Sequence, residues 1–241
     1  MFANLHQVPY ETVPLREDFS VDVAGLSGKG KLTVLANPNA PTGLALPLDQ
    51  VEALVASNPG HVVVVDEAYV DFGAASAAAL LGRYENLLVV MTYSKSRSMA
   101  GARLGFALGS RELIADLERL KYATNPYNVN RLTLRLGEAA VGFRSLLPGH
   151  ARRIMATRDK TARALREMGF RLPDSQANFL FVTHPRIDGA RLYQKCRERG
   201  ILIRHFSDPA IAQYNRVTIG AEEEMETFLT VVRDILREEG L

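Results

Sequence analysis

Two short runs of aliphatic, mostly β-branched residues constrain this chain most, because each one ends directly in chemically reactive side chains. The run 62–65 continues into DEAY (residues 66–69), and the run 87–91 continues into TYSK (residues 92–95). Runs that are apolar at every position are typical of strands buried on both faces of a parallel sheet. The carboxyl ends of parallel strands lie at one edge of a sheet, where ligands bind. We therefore expect Lys95 and the carboxylate of Asp66 to face one active site.

The rest of the chain alternates short strand-like runs with longer segments of helical period, which predicts an α/β fold with a mostly parallel sheet. Strands are expected at 32–36, 61–65, 87–91, 104–108, 178–182, 201–204 and 216–219. Helices are expected at 47–57, 111–122, 128–143, 148–168, 189–199 and 222–239. After the long helix the pattern becomes that of a smaller α+β unit. We predict two units, 1–145 and 146–241.

Composition excludes several classes of function. The chain has 241 residues and a net charge of +2, and its basic residues are dispersed, which argues against nucleic-acid binding. A single cysteine, Cys196, excludes an internal disulfide and fits a reducing, cytoplasmic location. No apolar run reaches membrane-spanning length, and the first residues lack the regions of a signal peptide. We assign no metal ligands.

The polar residues that follow the two runs suit chemistry on a bound pyridine ring. A carboxylate such as Asp66 keeps a pyridine nitrogen protonated, which makes pyridoxal phosphate an electron sink. A lysine with a depressed pKa forms a Schiff base with a carbonyl, and Arg103 offers bidentate geometry for a phosphate. The alternatives are structural: Asp66 as a helix cap or ion-pair partner, Tyr69 as a packed ring, and Lys95 as a surface lysine.

Three blocks in this order resemble the class I and II aminotransferases, which are pyridoxal-phosphate enzymes of fold type I. The blocks are NPNAPTG (37–43), DEAY (66–69) and TYSK (92–95) followed by Arg103. Within the family, the histidinol-phosphate aminotransferases are most similar. The resemblance implies a mostly parallel large domain, here incomplete, and a small α+β domain. It also implies the following cofactor contacts: Lys95 by a Schiff base, Asp66 at the pyridine nitrogen, Tyr69 at the phenolic oxygen, and Ser94 with Arg103 at the phosphate.

The resemblance also assigns substrate-binding residues in the second half. The strand containing Arg216 resembles the family strand whose arginine binds the substrate carboxylate, and a guanidinium suits that planar group. Arg204 matches the arginine that reaches a substrate phosphate. Tyr127 matches the tyrosine that reaches across the family's homodimer, so we expect self-association.

The chain departs from the family in two respects. Ala40 stands where an asparagine usually bonds the cofactor's phenolic oxygen, and Asn39 or Asn37 is the available substitute. The resemblance also begins about 100 residues into the family, a span the size of a small domain. The Gly-rich turn that binds the cofactor phosphate at a helix N-terminus is not in this sequence. We therefore expect exposed apolar surface, which favours aggregation.

The function implied by the resemblance is transamination between an amino donor and a 2-oxo acid. The implied pair is histidinol phosphate and 2-oxoglutarate, in histidine biosynthesis. Within the family, a threonine-phosphate decarboxylase or another amino-acid aminotransferase remains open, as does a non-catalytic remnant that keeps the fold. A nucleotide hydrolase is disfavoured, because the phosphate-binding G-x-x-x-x-G-K-[ST] motif is lacking.

Overall fold

The larger sheet places three strand ends at one edge. The computed structural model describes residues 2–29, 32–142 and 147–241. This sheet has the order β1–β2–β3–β4, with β1 at Leu32–Ala36, β2 at Val62–Asp66, β3 at Leu87–Thr92 and β4 at Gly105–Gly109. β1, β2 and β3 are parallel, and β4 runs antiparallel to β3. The polar residues that follow β1, β2 and β3 therefore lie along the same edge.

A second, smaller sheet is formed by the last third of the chain. Its strands are β5 (Phe179–Val182), β6 (Arg204–His205) and β7 (Asn215–Thr218), in the antiparallel order β5–β7–β6. A mostly parallel sheet followed by a small antiparallel one confirms the predicted fold class.

The helices follow the predicted apolar period, with changes at their ends. They are α1 (Phe2–Leu5), α2 (Val23–Leu26), α3 (Leu48–Ala56), α4 (Arg111–Thr124), α5 (Arg131–Gly142), α6 (Leu147–Glu167), α7 (Gly189–Glu198) and α8 (Glu222–Glu238). Short 3₁₀ turns lie at Val70–Phe72, Ala77–Leu80 and Ala100–Ala102. In α3, the predicted inward residues Val51, Leu54 and Val55 are fully buried.

Two predicted details were wrong. Asn130, not Asn128, precedes α5, and its side chain accepts a hydrogen bond from the backbone N–H of Thr133. The strand predicted at 201–204 forms only at Arg204–His205. The strand predicted at 104–108 forms at Gly105–Gly109. It runs antiparallel to β3, which fits the short connection between them, since a parallel crossover needs a dozen or more residues. The predicted end of α5 at Phe143 and the predicted boundary at 145–146 lie outside the described residues.

Each sheet packs its own core. One face of the larger sheet packs against α3 and the turn Ala77–Leu80, and its buried residues include Leu35, Val63, Val65, Leu87 and Val89. One face of the smaller sheet packs against α6, α7 and α8, and its buried residues include Leu165, Leu180, Val182, Leu192, Val217, Phe228 and Val232. Successive side chains of β5 and β7 point to opposite faces of the smaller sheet, so its other face is directed away from these helices.

Large apolar side chains remain exposed on the far side of the larger sheet and on α4 and α5. Leu32 and Val34 of β1 are 58% and 64% exposed, and Leu120 and Leu132 are 62% and 77% exposed. The helix at α4 was predicted correctly, but its apolar stripe contains no buried residue. The expected exposed apolar surface is therefore present. No helix in the described ranges is long and apolar enough to cross a membrane.

Candidate active site at the edge of the larger sheet

Backbone hydrogen bonds fix the order of the strand ends at this edge. The N–H of Asn37 donates to the carbonyl of Asp66 at 2.9 Å, and the N–H of Glu67 donates to the carbonyl of Val90 at 2.8 Å. The side chain of Asp66 is exposed, and its Oδ1 accepts a hydrogen bond from the N–H of Ala68 at 3.1 Å. This bond orients the carboxylate at the mouth of the edge and leaves Oδ2 without a bond to the described residues.

Glu67, the next residue, points into the protein. The residue is 2% exposed, and its carboxylate accepts hydrogen bonds from Ser76 Oγ at 2.6 Å and from the N–H of Ala77 at 2.5 Å. Burial raises the pKa of Glu67 above its usual range, although these two hydrogen bonds oppose the shift. Glu67 therefore anchors the segment after β2 and is not available to a metal ion or substrate.

Lys95 lies over the ring of Tyr69. Its Nζ is 5.4 Å from the ring centroid, within the range of a cation–π contact, and the lysine side chain is exposed. Ser94, directly before it, accepts a hydrogen bond from Thr92 Oγ1 at 2.9 Å. The residues predicted at the ends of β2 and β3 are therefore neighbours in space.

Phe179 joins this pair to the smaller sheet. Its ring meets the ring of Tyr69 edge to face, with the centroids 5.0 Å apart at 87°. The guanidinium carbon of Arg216 lies 5.0 Å from the centroid of the same Phe179 ring. The order Lys95, Tyr69, Phe179, Arg216 thus connects the predicted cofactor lysine with the predicted carboxylate-binding arginine.

Arg216 carries a buried donor without a partner. Its Nε has no hydrogen-bond acceptor among the described residues. A buried guanidinium N–H that lacks an acceptor is costly, so such a group in a native structure requires an explanation. A bound anion would supply the acceptor.

Arg204 lies directly opposite Arg216 across the strand pair β6–β7. Directly opposed residues project from the same face of a sheet, so both arginines belong to the face that also bears Phe179. The guanidinium of Arg204 lies 5.7 Å from the centroid of Phe206. Two cations on one sheet face could bind two anionic groups of a substrate.

The two asparagines offered as substitutes at Ala40 differ in their bonding. Asn37 is 2% exposed; its Nδ2 donates to the carbonyl of Leu46 at 3.1 Å and its Oδ1 accepts from the Leu46 N–H at 2.7 Å. Asn37 is thus fully engaged in holding the turn. Asn39 is half-buried and donates from Nδ2 to Thr42 Oγ1 at 2.8 Å, which leaves its oxygen without a described donor.

Two predicted residues are not joined to the others. Arg103 is exposed, has a left-handed backbone with φ of 52°, and donates to the carbonyl of Ala100 at 3.2 Å. Left-handed non-glycine residues are strained and concentrate at functional sites. Tyr127 is 88% exposed, and no described aromatic or cation–π contact joins it to Lys95 or Arg216.

Sequence reasoning missed Phe179 and Glu67 as members of the site. Phe179 lies within the strand predicted at 178–182, and it received no role because an apolar strand residue carries no functional signal. Glu67 follows Asp66 directly, and its role depends on contacts with Ser76 and Ala77 that the local pattern does not predict. Within the described ranges, no group of three or more His, Cys, Asp or Glu side chains is arranged to hold a metal ion.

Comparison with known proteins identifies the family. A family model for aminotransferase class I and II matches residues 1–232. The chain therefore belongs to the class I and II aminotransferases, enzymes that work with pyridoxal phosphate. The family predicted from the three sequence blocks is confirmed, and so is pyridoxal phosphate as its cofactor.

Within this family, the chain is similar to several histidinol-phosphate aminotransferases. Histidinol-phosphate aminotransferase 1 of Bordetella parapertussis is 46% identical over 98% of this chain and 67% of its own length. The histidinol-phosphate aminotransferase of Clostridium acetobutylicum superposes with a TM-score of 0.91 at 21% identity, covering 98% of this chain and 74% of that one. The enzyme from Sinorhizobium meliloti, solved with pyridoxal-5'-phosphate, gives a TM-score of 0.84 at 23% identity, covering 96% and 67%. The chain thus spans about two thirds of the length of its relatives.

Proposed function

We propose that this chain carries the reaction centre of a pyridoxal-phosphate aminotransferase that converts histidinol phosphate with 2-oxoglutarate as amino acceptor. The observation that carries the proposal is the array Lys95, Tyr69, Phe179 and Arg216, in which Arg216 Nε is buried without a described acceptor. At one end of the array, the amine of Lys95 can form a Schiff base with the cofactor carbonyl. At the other end, the guanidinium of Arg216 can bind an anionic group of the substrate. This pair suits a substrate that carries both an amine and a negative charge.

The residues along the edge fit the cofactor by the chemistry of their donors. Asp66 would pair with the pyridine nitrogen, since its Oδ2 has no described partner. Tyr69, whose ring contacts Lys95 and Phe179, would hold the phenolic oxygen. Asn39 would donate to the same oxygen from the second hydrogen of its Nδ2, since the first is bonded to Thr42 Oγ1. Ser94 and Arg103 would bind the phosphate.

The cofactor, when bound, accepts the electron pair released at the substrate carbon that bears the amine. Lys95 would hold the cofactor until the substrate amine takes its place. The freed amine of Lys95 would then act as general base and general acid in turn for the proton at the substrate Cα. The Tyr69 ring beneath Nζ limits the directions in which the amine can move.

The proposed substrate follows from the two arginines and from the relatives. Arg216 would bind the carboxylate of the acidic substrates, and Arg204, on the same sheet face, would bind the phosphate of histidinol phosphate. Relatives that are 40–46% identical have the name histidinol-phosphate aminotransferase. A biosynthetic role in the cytoplasm fits the single buried, unpaired thiol of Cys196.

We also propose two structural units and self-association. Separate cores for the two sheets support a large unit at 1–145 and a small unit at 146–241. The exposed leucines of α4 and α5, together with the exposed ring of Tyr127, support a homodimer in which Tyr127 reaches the partner. Sedimentation velocity would detect it, and a stable monomer at micromolar concentration would contradict it.

The test of the function is a trapped linkage at a defined lysine. Purified chain is mixed with pyridoxal phosphate, reduced with borohydride and digested, and mass spectrometry locates the modified residue. We expect modification at Lys95 and none there in Lys95→Ala. Lys121 is the matched control, because its Nζ lies 5.8 Å from the Tyr122 ring in a similar exposed lysine–tyrosine pair. Equal modification of both lysines would refute a specific site.

Activity assays then separate the alternatives. Formation of glutamate from histidinol phosphate and 2-oxoglutarate supports the proposed reaction. Carbon dioxide release from threonine phosphate would instead assign the decarboxylase. Linkage at Lys95 without turnover of any amino substrate would identify a non-catalytic remnant.

A further inference from the structure

The loop that carries Lys95 is tied to the segment that carries Tyr69 through one carboxylate. Asp71 Oδ2 accepts a hydrogen bond from Ser96 Oγ and another from Arg97 Nη1, the latter at 3.1 Å. Ser96 and Arg97 directly follow Lys95 in the chain, and Asp71 lies in the 3₁₀ turn that begins after Tyr69. A single side chain therefore links the positions of the two residues whose contact defines the site.

The Lys95 loop has features that require such a tie. Its backbone closes on itself, because the N–H of Ser98 donates to the carbonyl of Lys95 at 3.1 Å and the N–H of Met99 donates to the carbonyl of Tyr93 at 3.0 Å. Ser98 has a left-handed backbone with φ of 53°. A strained non-glycine residue persists only where its surroundings determine the conformation.

Arg97 reinforces the same attachment. Its guanidinium lies 5.1 Å from the centroid of Tyr93 and 5.9 Å from that of Phe106, and its side chain is only 16% exposed. Asp71 is its only acidic partner among the described residues. Without Asp71, the buried Ser96 hydroxyl would lose its acceptor, and the largely buried guanidinium of Arg97 would lose its carboxylate and keep only the longer bond to Ser96 Oγ at 3.3 Å.

Asp71 itself stands on a fixed segment. On one side, Glu67 anchors the chain through Ser76 and Ala77. On the other side, the carbonyl of Phe72 accepts a hydrogen bond at 2.8 Å from Arg158, which is 7% exposed. The backbone that carries the Asp71 carboxylate is therefore fixed on both sides. Because this backbone is fixed, the carboxylate can determine the position of the Lys95 loop.

We propose that Asp71 is a positioning residue for Lys95: it holds the Lys95 loop so that the amine lies over the Tyr69 ring and reaches the cofactor carbonyl. The inference rests on the proposed function for its catalytic consequence. Its structural part, the hold on residues 94–99, is independent of any cofactor. A displacement of about 1 Å at a reacting group can lower a rate on the order of a hundredfold, so the loss of this tie is measurable.

Asp71→Ala is compared with Asp71→Asn and with Asp116→Ala. The asparagine variant keeps an acceptor oxygen for Ser96. Asp116 is the matched control, since it receives a hydrogen bond from Arg119 at 2.8 Å in an exposed pair away from the site. Two quantities are measured on the full chain: the rate of borohydride-trapped linkage at Lys95, and amide hydrogen exchange of Ser98 and Met99 without cofactor.

We expect Asp71→Ala to slow the linkage by about tenfold or more and to speed exchange of the two amides by a similar factor. Asp71→Asn should give an intermediate effect, and Asp116→Ala none.

Two results would overturn the inference. One is faster amide exchange in Asp71→Ala with an unchanged linkage rate, which would make Asp71 a structural residue only. The other is an unchanged rate of amide exchange. If the unmodified chain forms no linkage, the proposed function fails, and the exchange measurement still decides whether Asp71 holds the loop. If Asp71→Ala does not fold, Ser96→Ala removes one of the two contacts to Asp71. This variant should also slow the linkage and speed the amide exchange, each by a smaller factor.

Discussion

Replacement of Phe179 by leucine removes the ring that contacts both Tyr69 and Arg216 and keeps an apolar side chain at that position. Phe179 is 2% exposed and contacts the Tyr69 ring edge to face at 5.0 Å. The Arg216 guanidinium lies 5.0 Å from the same ring. The substitution therefore tests whether this ring orients the arginine or only fills space.

The expected magnitudes follow from the contacts. Leucine is smaller than phenylalanine, so the substitution leaves a small void that costs about 1 kcal/mol, and loss of one aromatic pair costs about 1 kcal/mol more. We therefore expect a loss of roughly 2 kcal/mol in the free energy of unfolding. The half-buried cation–π contact is worth about 1 kcal/mol, so a loosened Arg216 should bind a carboxylate about fivefold more weakly.

The assay compares Phe179→Leu with Phe228→Leu. Phe228 is 4% exposed and lies in the core of the smaller sheet and its helices, so it matches the volume change without the two ring contacts. Guanidinium denaturation gives the free energies of unfolding, and calorimetry with a dicarboxylate competitor gives the affinity for the anion. KM for 2-oxoglutarate should rise in Phe179→Leu alone. Equal anion affinity in both variants would refute the idea that the Phe179 ring orients Arg216.

Three further expectations concern buried groups. Burial raises the pKa of Glu67, so the folded chain binds this proton more tightly than the unfolded chain does. The free energy of unfolding of the wild type should therefore fall, relative to that of Glu67→Gln, as the pH rises from 4.5 through the raised pKa. Denaturant titration at each pH measures this difference. Burial raises the pKa of Cys196 to about 11, so native alkylation at pH ~8 should be roughly a hundredfold slower than in denaturant; comparable rates would contradict the buried thiol. Arg158→Met should lower the free energy of unfolding by about 2–4 kcal/mol, because two buried carbonyls, those of Phe72 and Ala177, lose a charged donor; a loss below about 0.5 kcal/mol by denaturant titration would refute this.

The elements near the strand ends were predictable because their signal is local. Runs without a polar residue gave β2 and β3, and the residues that follow each run in the chain had to lie at the shared edge once the strands were parallel. The position of Lys95 beside Tyr69 follows from that geometry. The period of Val51, Leu54 and Val55 predicted the buried side of α3 for the same reason, since a helix face is encoded within a few turns.

The remaining features depend on contacts between distant parts of the chain. Phe179 contacts Tyr69 only because the smaller sheet packs beside the larger one. Asp71 contacts Ser96 only because two segments that are 25 residues apart in the chain come together. The start of α5 was misplaced for a local reason: Asn128 and Asn130 are both suitable caps, and the structure uses the second. The stripe on α4 was predicted from its period, but periodicity does not tell whether another part of the molecule covers it.

The two halves of the site are held with different strength. The segment from Asp66 to Phe72 is anchored by buried hydrogen bonds from Ser76, Ala77 and Arg158, and it fixes the Lys95 loop through Asp71. Arg216 belongs to the other sheet, and the described contacts connect it to Lys95 through the rings of Phe179 and Tyr69. Ring contacts are weaker and less directional than charge-assisted hydrogen bonds. Changes at Phe179 should therefore weaken substrate binding more than they slow cofactor attachment to Lys95. Changes at Asp71 should do the opposite and slow the attachment more than they weaken substrate binding.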